Sequence, residues 1–312
     1  MKKLITLSLA IFVYFGNLFS QQVPEYTLYM MNPFIYNCAL AGTHNYYQIR
    51  TNNRFQWIGF KDAPITNSLS VFGPHPDKDM GYGGNIYSDI TGPISRTGVN
   101  GVYAYNFPIN SEIRLSLGLT LGLMQYKIDG SKINFSPYTE IPSYDPSLST
   151  NVVSKMRPDG SFGAYLWAQS FNVGLSAQQL FNLNTKFNAG VDGFSNLKTH
   201  FYLIGGYRYV LDYEWAIEPG AVFSKVISAP LQLELNAKVI YKNMLWTGLA
   251  FRTQDAVSLL FGYTHERKIY IAYAFDYALT AIRKYSAGSS EIVLGYNFDS
   301  IKKQRSGHGK RR

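Results

Sequence analysis

Residues 114–128 read RLSLGLTLGLMQYKI, with leucine at 115, 117, 119, 121 and 123 and Arg114, Ser116, Gly118, Thr120 and Gly122 between them. A period of two places alternate side chains on opposite faces of an extended strand, whereas a helix would spread these leucines around its circumference. The stretch is a strand with one apolar face and one small or polar face. Such an apolar row can meet a soluble core or lipid tails, so the rest of the chain must decide between a tyrosine-rich soluble sandwich and a membrane barrel.

The alternation recurs along the chain. Val99, Gly101, Tyr103, Tyr105 and Phe107 make one row, and Leu231, Leu233, Leu235, Ala237, Val239 and Tyr241 another, opposite Gln232, Glu234, Asn236 and Lys238. Ile269, Ile271, Tyr273, Phe275 and Tyr277 make a third. The pattern predicts about fourteen strands, near residues 45–57, 65–73, 81–90, 98–108, 113–128, 161–168, 170–177, 200–210, 214–223, 230–240, 244–252, 256–264, 268–277 and 290–298, an even number within the outer-membrane range. If the first strand rises from the periplasm, the connections after even strands are all short, about two to seven residues. Those after odd strands are mostly longer, as at 129–160, 178–199 and 278–289, which is the habit of outer-membrane barrels and has no counterpart in soluble sandwiches. The expected fold is therefore all-β, a transmembrane antiparallel β-barrel of outer-membrane type. A closed barrel also pairs every strand amide that would otherwise face hydrocarbon.

Composition points the same way. Charged residues are only 16%, while Tyr 25 and Phe 20 supply the aromatic belts that such barrels carry at both interfaces. A mean hydropathy of −0.11 and the lack of any later apolar run of roughly 18 residues argue against a helical bundle. Cys38 is the single cysteine, so no intramolecular disulfide can form. The net charge of +9 suggests nucleic acid, but six of the basic residues sit in KKQRSGHGKRR at 302–312, and an exported chain rarely meets a nucleic-acid partner.

Export is read from MKKLITLSLAIFVYFGNLFSQQ, in which Lys2 and Lys3 precede an apolar run and Ser20 offers a small residue for cleavage. The expected organisation is a signal peptide at 1–20, a periplasmic or plug-like lead-in segment at 21–44, the barrel at 45–298 and a basic periplasmic tail at 299–312, with both termini periplasmic. The tail is expected to be solvated, or to dock on an acidic periplasmic partner or an anionic lipid surface.

Projecting the other face of each strand inward predicts lumenal Arg50, Arg54, Arg114, Arg208, Glu218, Glu234, Lys238, Arg252, Asp276 and Glu291. A charge-selective pore favours rings of one sign, so mixed charges predict mutual neutralisation in a narrow or plugged lumen. For catalysis the material is thin. His44, His75, His200, His265 and His308 are scattered, and no GxSxG or HExxH occurs, so no catalytic, cofactor or metal site is expected and the chain reads as a non-enzyme. A passive porin-like barrel for a small solute is the alternative, and an outer-membrane hydrolase a third reading.

YMMNPFIYNCALAG at 29–42 followed by RFQWIGFKDAPIT at 54–66 resembles the opening signature of the PorP/SprF family of type IX secretion system membrane proteins. The resemblance continues through SDITGP (88–93), YAYNFPI (103–109), RPDGSFGAY (157–165), GGYRYVL (205–211), NMLWTGLAFR (243–252), YAFDYAL (273–279) and SSEIVLGYNF (289–298), covering nearly all the mature chain. The chain departs from the family pattern at Cys38, where a proline is usual, and at Ser290, where a histidine is usual. The resemblance implies an outer-membrane barrel of the secretion and gliding apparatus of Bacteroidota. Its partners would be periplasmic ring or lipoprotein components, or a secreted surface protein such as an adhesin. Within that reading Asn32, Pro33, Asn37 and Gly42 shape the lead-in segment, and Arg54, Gln56, Trp57, Pro64 and Thr66 form the first hairpin. Turn, interface-belt and ion-pair roles explain those residue types without a ligand. The loop at 129–160 is the expected outer surface for cargo.

Overall fold

The computed structural model describes residues 25–132, 152–181, 184–185, 195–196, 198–226 and 229–299. The expected signal peptide, the tail beyond Asp299 and most of the 129–160 loop lie outside them. Fourteen strands run in chain order as β1 Tyr46–Phe55, β2 Ile65–Pro74, β3 Met80–Thr91, β4 Ile94–Pro108, β5 Arg114–Asp129, β6 Val152–Trp167 and β7 Phe171–Gln178. They continue with β8 His200–Tyr207, prolonged past Arg208 by Tyr209–Val210, then β9 Trp215–Val226, β10 Gln232–Tyr241, β11 Leu245–Arg252, β12 Ala256–His265, β13 Ile269–Ala278 and β14 Ser289–Asp299. Each pairs antiparallel with its sequence neighbour, and β1 pairs with β14 from Tyr46↔Asp299 to Phe55↔Ser290, which closes the sheet into a barrel. No helix of the described residues is long and apolar enough to cross a membrane; the crossing is made by strands.

The leucine row faces outward. Leu119 is 57% and Leu121 69% exposed, while Ser116 and Thr120 on the other face are buried at 0% and 8%. The rows through Tyr103, Leu235 and Ile271 behave alike, giving a continuous apolar belt. Where β1 begins, the outer face carries touching rings, with Trp215–Tyr241 centroids 4.7 Å apart, Tyr47–Phe298 5.3 Å and Tyr82–Tyr103 5.7 Å. This is the girdle expected at a lipid interface.

The strand set matches the periodicity, with two differences at the ends. β4 starts at Ile94, so only Gly92–Pro93 separates it from β3; Gly92 takes a φ of +56 and makes the turn tight. β6 starts at Val152 instead of near 161, because Arg157–Gly160, whose Pro and Gly read as loop, is paired with β5 in a ladder reaching Asp129↔Val152. Connections after even strands are short throughout, and that mouth is called the turn end. The opposite mouth, the loop end, carries the longer connections 56–64, 130–151, 179–199 and 279–288, but also the tight β3–β4 and β11–β12 turns.

Residues 25–45 are not wall. They rise through the lumen as three 3₁₀ turns, Tyr29–Met31, Pro33–Ile35 and Cys38–Leu40, from the turn end at Gly42 to the loop end at Thr27. Glu25 and Asp299, the first and last described residues, lie toward opposite mouths.

Candidate functional site

The interior face of the strands is small and polar because a second piece of backbone occupies the space. A Cβ on Gly118 would come within 2.6 Å of the Ala39 nitrogen, and one on Gly163 within 2.1 Å of the Asn37 side-chain oxygen. Gly42, at a φ of +76, passes Gly81 so closely that a Cβ on Gly81 would lie 2.2 Å from the Ala41 carbonyl carbon. Only glycine on the wall admits the lead-in segment at that depth.

Three asparagine or threonine residues lace the segment to the wall. Asn37 donates from Nδ2 to the Ala164 and Leu175 carbonyls at 2.9 and 3.1 Å, and its Oδ1 accepts from the Ala39 N–H at 3.0 Å. That cap holds the turn that begins at Cys38. Asn32, fully buried beside Pro33 at the first position of its turn, donates to Asn52 Oδ1 at 2.8 Å and Ser70 Oγ at 3.3 Å. Ser176 and Gln178 reach the Tyr36 carbonyl at 2.6 and 3.0 Å, and Tyr29 pairs through its hydroxyl with Asn236. Phe34 stacks on Phe72 at 4.2 Å, and Tyr36 meets Tyr202 edge-on at 4.7 Å.

Thr27 is the hub of the loop end. Its N–H donates to Glu291 Oε2 at 2.7 Å and its hydroxyl to Asp276 Oδ2 at 2.9 Å, while that oxygen accepts from Arg54 at 2.8 Å and Arg252 at 3.1 Å. One donor and two acceptor sites are the full capacity of a hydroxyl. Arg54 pairs with Asp276 at 2.7 Å and Glu291 at 3.3 Å, and Arg252 with Glu234 at 2.7 Å, Asp255 at 2.8 Å and Glu25 at 3.5 Å. Burial pushes the Glu25 carboxyl above its usual range, against the pull of the Arg252 charge.

The sequence-predicted residues thus divide among several places. Arg54, Glu234, Arg252, Asp276 and Glu291 form this one network. Arg208, Glu218 and Lys238 form a second near the turn end, with Glu218 accepting from both cations at 2.8 Å. Arg50 lies alone among neutral acceptors, Gln48 at 2.9 Å and Asn297 at 2.7 Å, under the Tyr270 ring. Arg114 is not lumenal: it pairs with Asp79 at 2.6 Å on the exposed rim. Thr66 faces inward and donates to Asp89 at 2.9 Å. Gln56, Trp57 and Pro64 belong to the β1–β2 connection, where the Gln56 N–H meets the Pro64 carbonyl at 3.0 Å and the Trp57 N–H meets Ser289 Oγ at 3.1 Å. Sequence reading missed Thr27, Glu25 and Asp255, which stand in segments without a strand period to assign them a face.

Among the described residues no group of three His, Cys, Asp or Glu side chains is placed to hold a metal ion, and Cys38 is a buried free thiol. His75 follows β2, His265 is the last residue of β12, His44 lies at the foot of the lead-in segment and His200 at the start of β8.

A closed antiparallel barrel with a lipid-facing belt, aromatic girdle and polar lumen defines an outer-membrane β-barrel protein. The profile of the family described as Type IX secretion system membrane protein PorP/SprF matches residues 18–296. The chain belongs to that family. No curated protein matches it. Solved structures similar to it include the TodX deltaS2S3 mutant monoaromatic hydrocarbon channel, at 11% identity over 86% of this chain and 94% of that one with a TM-score of 0.49. They also include Omp33 of Acinetobacter baumannii, at 10% identity over 83% and 100% with a TM-score of 0.45, and a FadL homologue of Pseudomonas aeruginosa, at 10% identity over 81% and 90% with a TM-score of 0.45.

Proposed function

We propose that the protein is a non-enzymatic, lumen-filled barrel of the type IX machinery. It acts by holding other proteins at the outer membrane, either coupling to periplasmic ring or lipoprotein components or supporting export and surface attachment of a cargo such as an adhesin. In this reading the turn end faces the periplasm and carries the basic tail, and the long connections face outward. The observation that carries it is the lacing of residues 27–42 to strands on all sides of the lumen, which leaves support, not permeation, as the work of the wall. Affinity purification from membranes and planar-bilayer recording of the purified barrel test it. Expected are co-purifying secretion components or a large surface protein, and no conductance of general-porin size. An isolated barrel with solute-dependent conductance overturns it in favour of passive transport.

A further inference from the structure

The turn end of the lumen is hollow. Beneath Pro33 and Leu40 a cavity of ≈ 700 Å³ opens at the mouth, with Arg50 and Tyr270 on one wall, Arg208, Lys238 and Trp246 on the other and Arg267 at the lip. A neighbouring cavity of ≈ 480 Å³ shares Arg208, Glu218 and Lys238. Among the described residues the only carboxylate lining either space is Glu218. It is already shared between Arg208 and Lys238, and the Arg50 guanidinium is satisfied by uncharged groups. Four cations therefore face one anion within a concave, partly apolar wall that focuses their field.

The acidic residues of the turn-end connections stand outside the hollow: Glu214 pairs with Lys242 at 3.0 Å and Asp79 with Arg114 at 2.6 Å, and neither these nor Asp77, Glu112, Asp212 and Glu266 line either space. The chain's own sequence at 302–312 is basic, so its charge does not complement the hollow. Above, the space is closed by the laced lead-in segment, so it is a dead end suited to seating a group, not to passing one.

We propose that this vestibule seats an acidic segment of a protein partner, its carboxylates gripped by the planar forks of Arg208 and Arg267 with Lys238 behind them. The proposal rests on the reading that the barrel holds other proteins, and it names the chemistry of that hold.

The test uses the purified full-length barrel in detergent and a fluorescent deca-glutamate peptide, followed by anisotropy, with deca-glutamine as control. Binding of deca-glutamate alone is expected, weakening severalfold between about 50 and 200 mM salt, and weakening at least tenfold in the Arg208→Gln/Lys238→Gln/Arg267→Gln variant. Arg267→Gln alone, in an exposed turn, guards against misfolding of the triple variant and should weaken binding about threefold. Equal binding of deca-glutamine, or unchanged binding by both variants, overturns the proposal. So does loss of binding to vesicles of anionic phospholipid with peptide binding intact, which would make the occupant a lipid. Pull-down from membranes separates the two ideas. A partner retained by the triple variant sinks the vestibule and leaves the functional reading, whereas peptide binding with no partner under any condition sinks the functional reading and leaves the vestibule.

Discussion

At the loop end of the lumen five carboxylates, Glu25, Glu234, Asp255, Asp276 and Glu291, surround two guanidiniums, while at the turn end four cations, Arg50, Arg208, Lys238 and Arg267, line a hollow with one carboxylate, Glu218. The heart of the first cluster is dry: Arg54 is 1% and Glu291 0% exposed and Thr27 saturates its centre, while the Glu25 and Asp255 side chains at its edge are 21% and 34% exposed. The second borders a cavity, and the Arg208 side chain is 38% exposed. One lead-in segment makes both ends, since its hydroxyl and amide groups reach the loop end while Met30, Met31, Pro33 and Leu40 roof the hollow at the other. The contrast teaches that charge of similar density does different work according to whether water remains beside it. Buried, it locks a geometry; hydrated, it is available to something else.

The sharpest way to break that contrast is to remove one guanidinium from each end. Arg54→Met strands two buried carboxylates and should lower barrel stability by about 3–5 kcal/mol. Arg208→Met should cost under about 1 kcal/mol because its pair is solvent-screened. Heat-modifiable migration of the folded barrel reads both, and equal losses would erase the distinction. Next in size, Gly118→Val drives a side chain into the Ala39 backbone, which has nowhere to give, and should cost about 1–3 kcal/mol while loosening the segment. Planar-bilayer recordings should then show channel steps that the parent lacks. Asn37→Ala removes both donors to the Ala164 and Leu175 carbonyls and the turn cap, for about 1–2 kcal/mol, read as faster proteolysis of the segment with the wall intact.

The smallest effect is set by Glu25. Its pKa is raised in the folded state, so folding takes up a proton, and its contribution to stability is greatest at low pH and declines as pH climbs from the unfolded value, 4.5, through the raised one. Protection of the lead-in segment from protease should therefore be greater near pH 5 than near pH 7.5, and Glu25→Gln should shrink the difference. A segment better protected at the higher pH in the parent alone would reverse the sign.

Much of the wall is legible in the sequence because a two-residue period converts directly into faces: Leu117, Leu119 and Leu121 could point nowhere but away from Ser116 and Thr120. Strand ends were less so, since Pro158 and Gly160 look like loop residues and are carried in β6 only by its register with β5. The site is half legible. Alternation predicts that Arg54, Asp276 and Glu291 point inward, but their union depends on closure of β1 against β14, which local pattern does not encode. Arg114 shows the opposite failure, since its face is inward but its height, level with the rim at Asp79, lets it turn to water. Thr27 carries no pattern at all, and its role exists only because four distant side chains converge on it.

The leucine row stops at Leu123. Beyond it the outward positions of β5 are Gln125 and Lys127, and Gln125 is bonded to Ser154 of β6 at 3.0 Å on an exposed face. Polar side chains of that kind are costly to place in hydrocarbon, so the last leucine marks the edge of the apolar belt on β5. With 16 residues in each strand and about 3.3 Å of rise apiece, β5 and β6 outreach a hydrocarbon layer about 25 Å tall even when tilted. Their upper ladder stands past the outward leucines as a stiff parapet on one side of the mouth and gives the rim a slope.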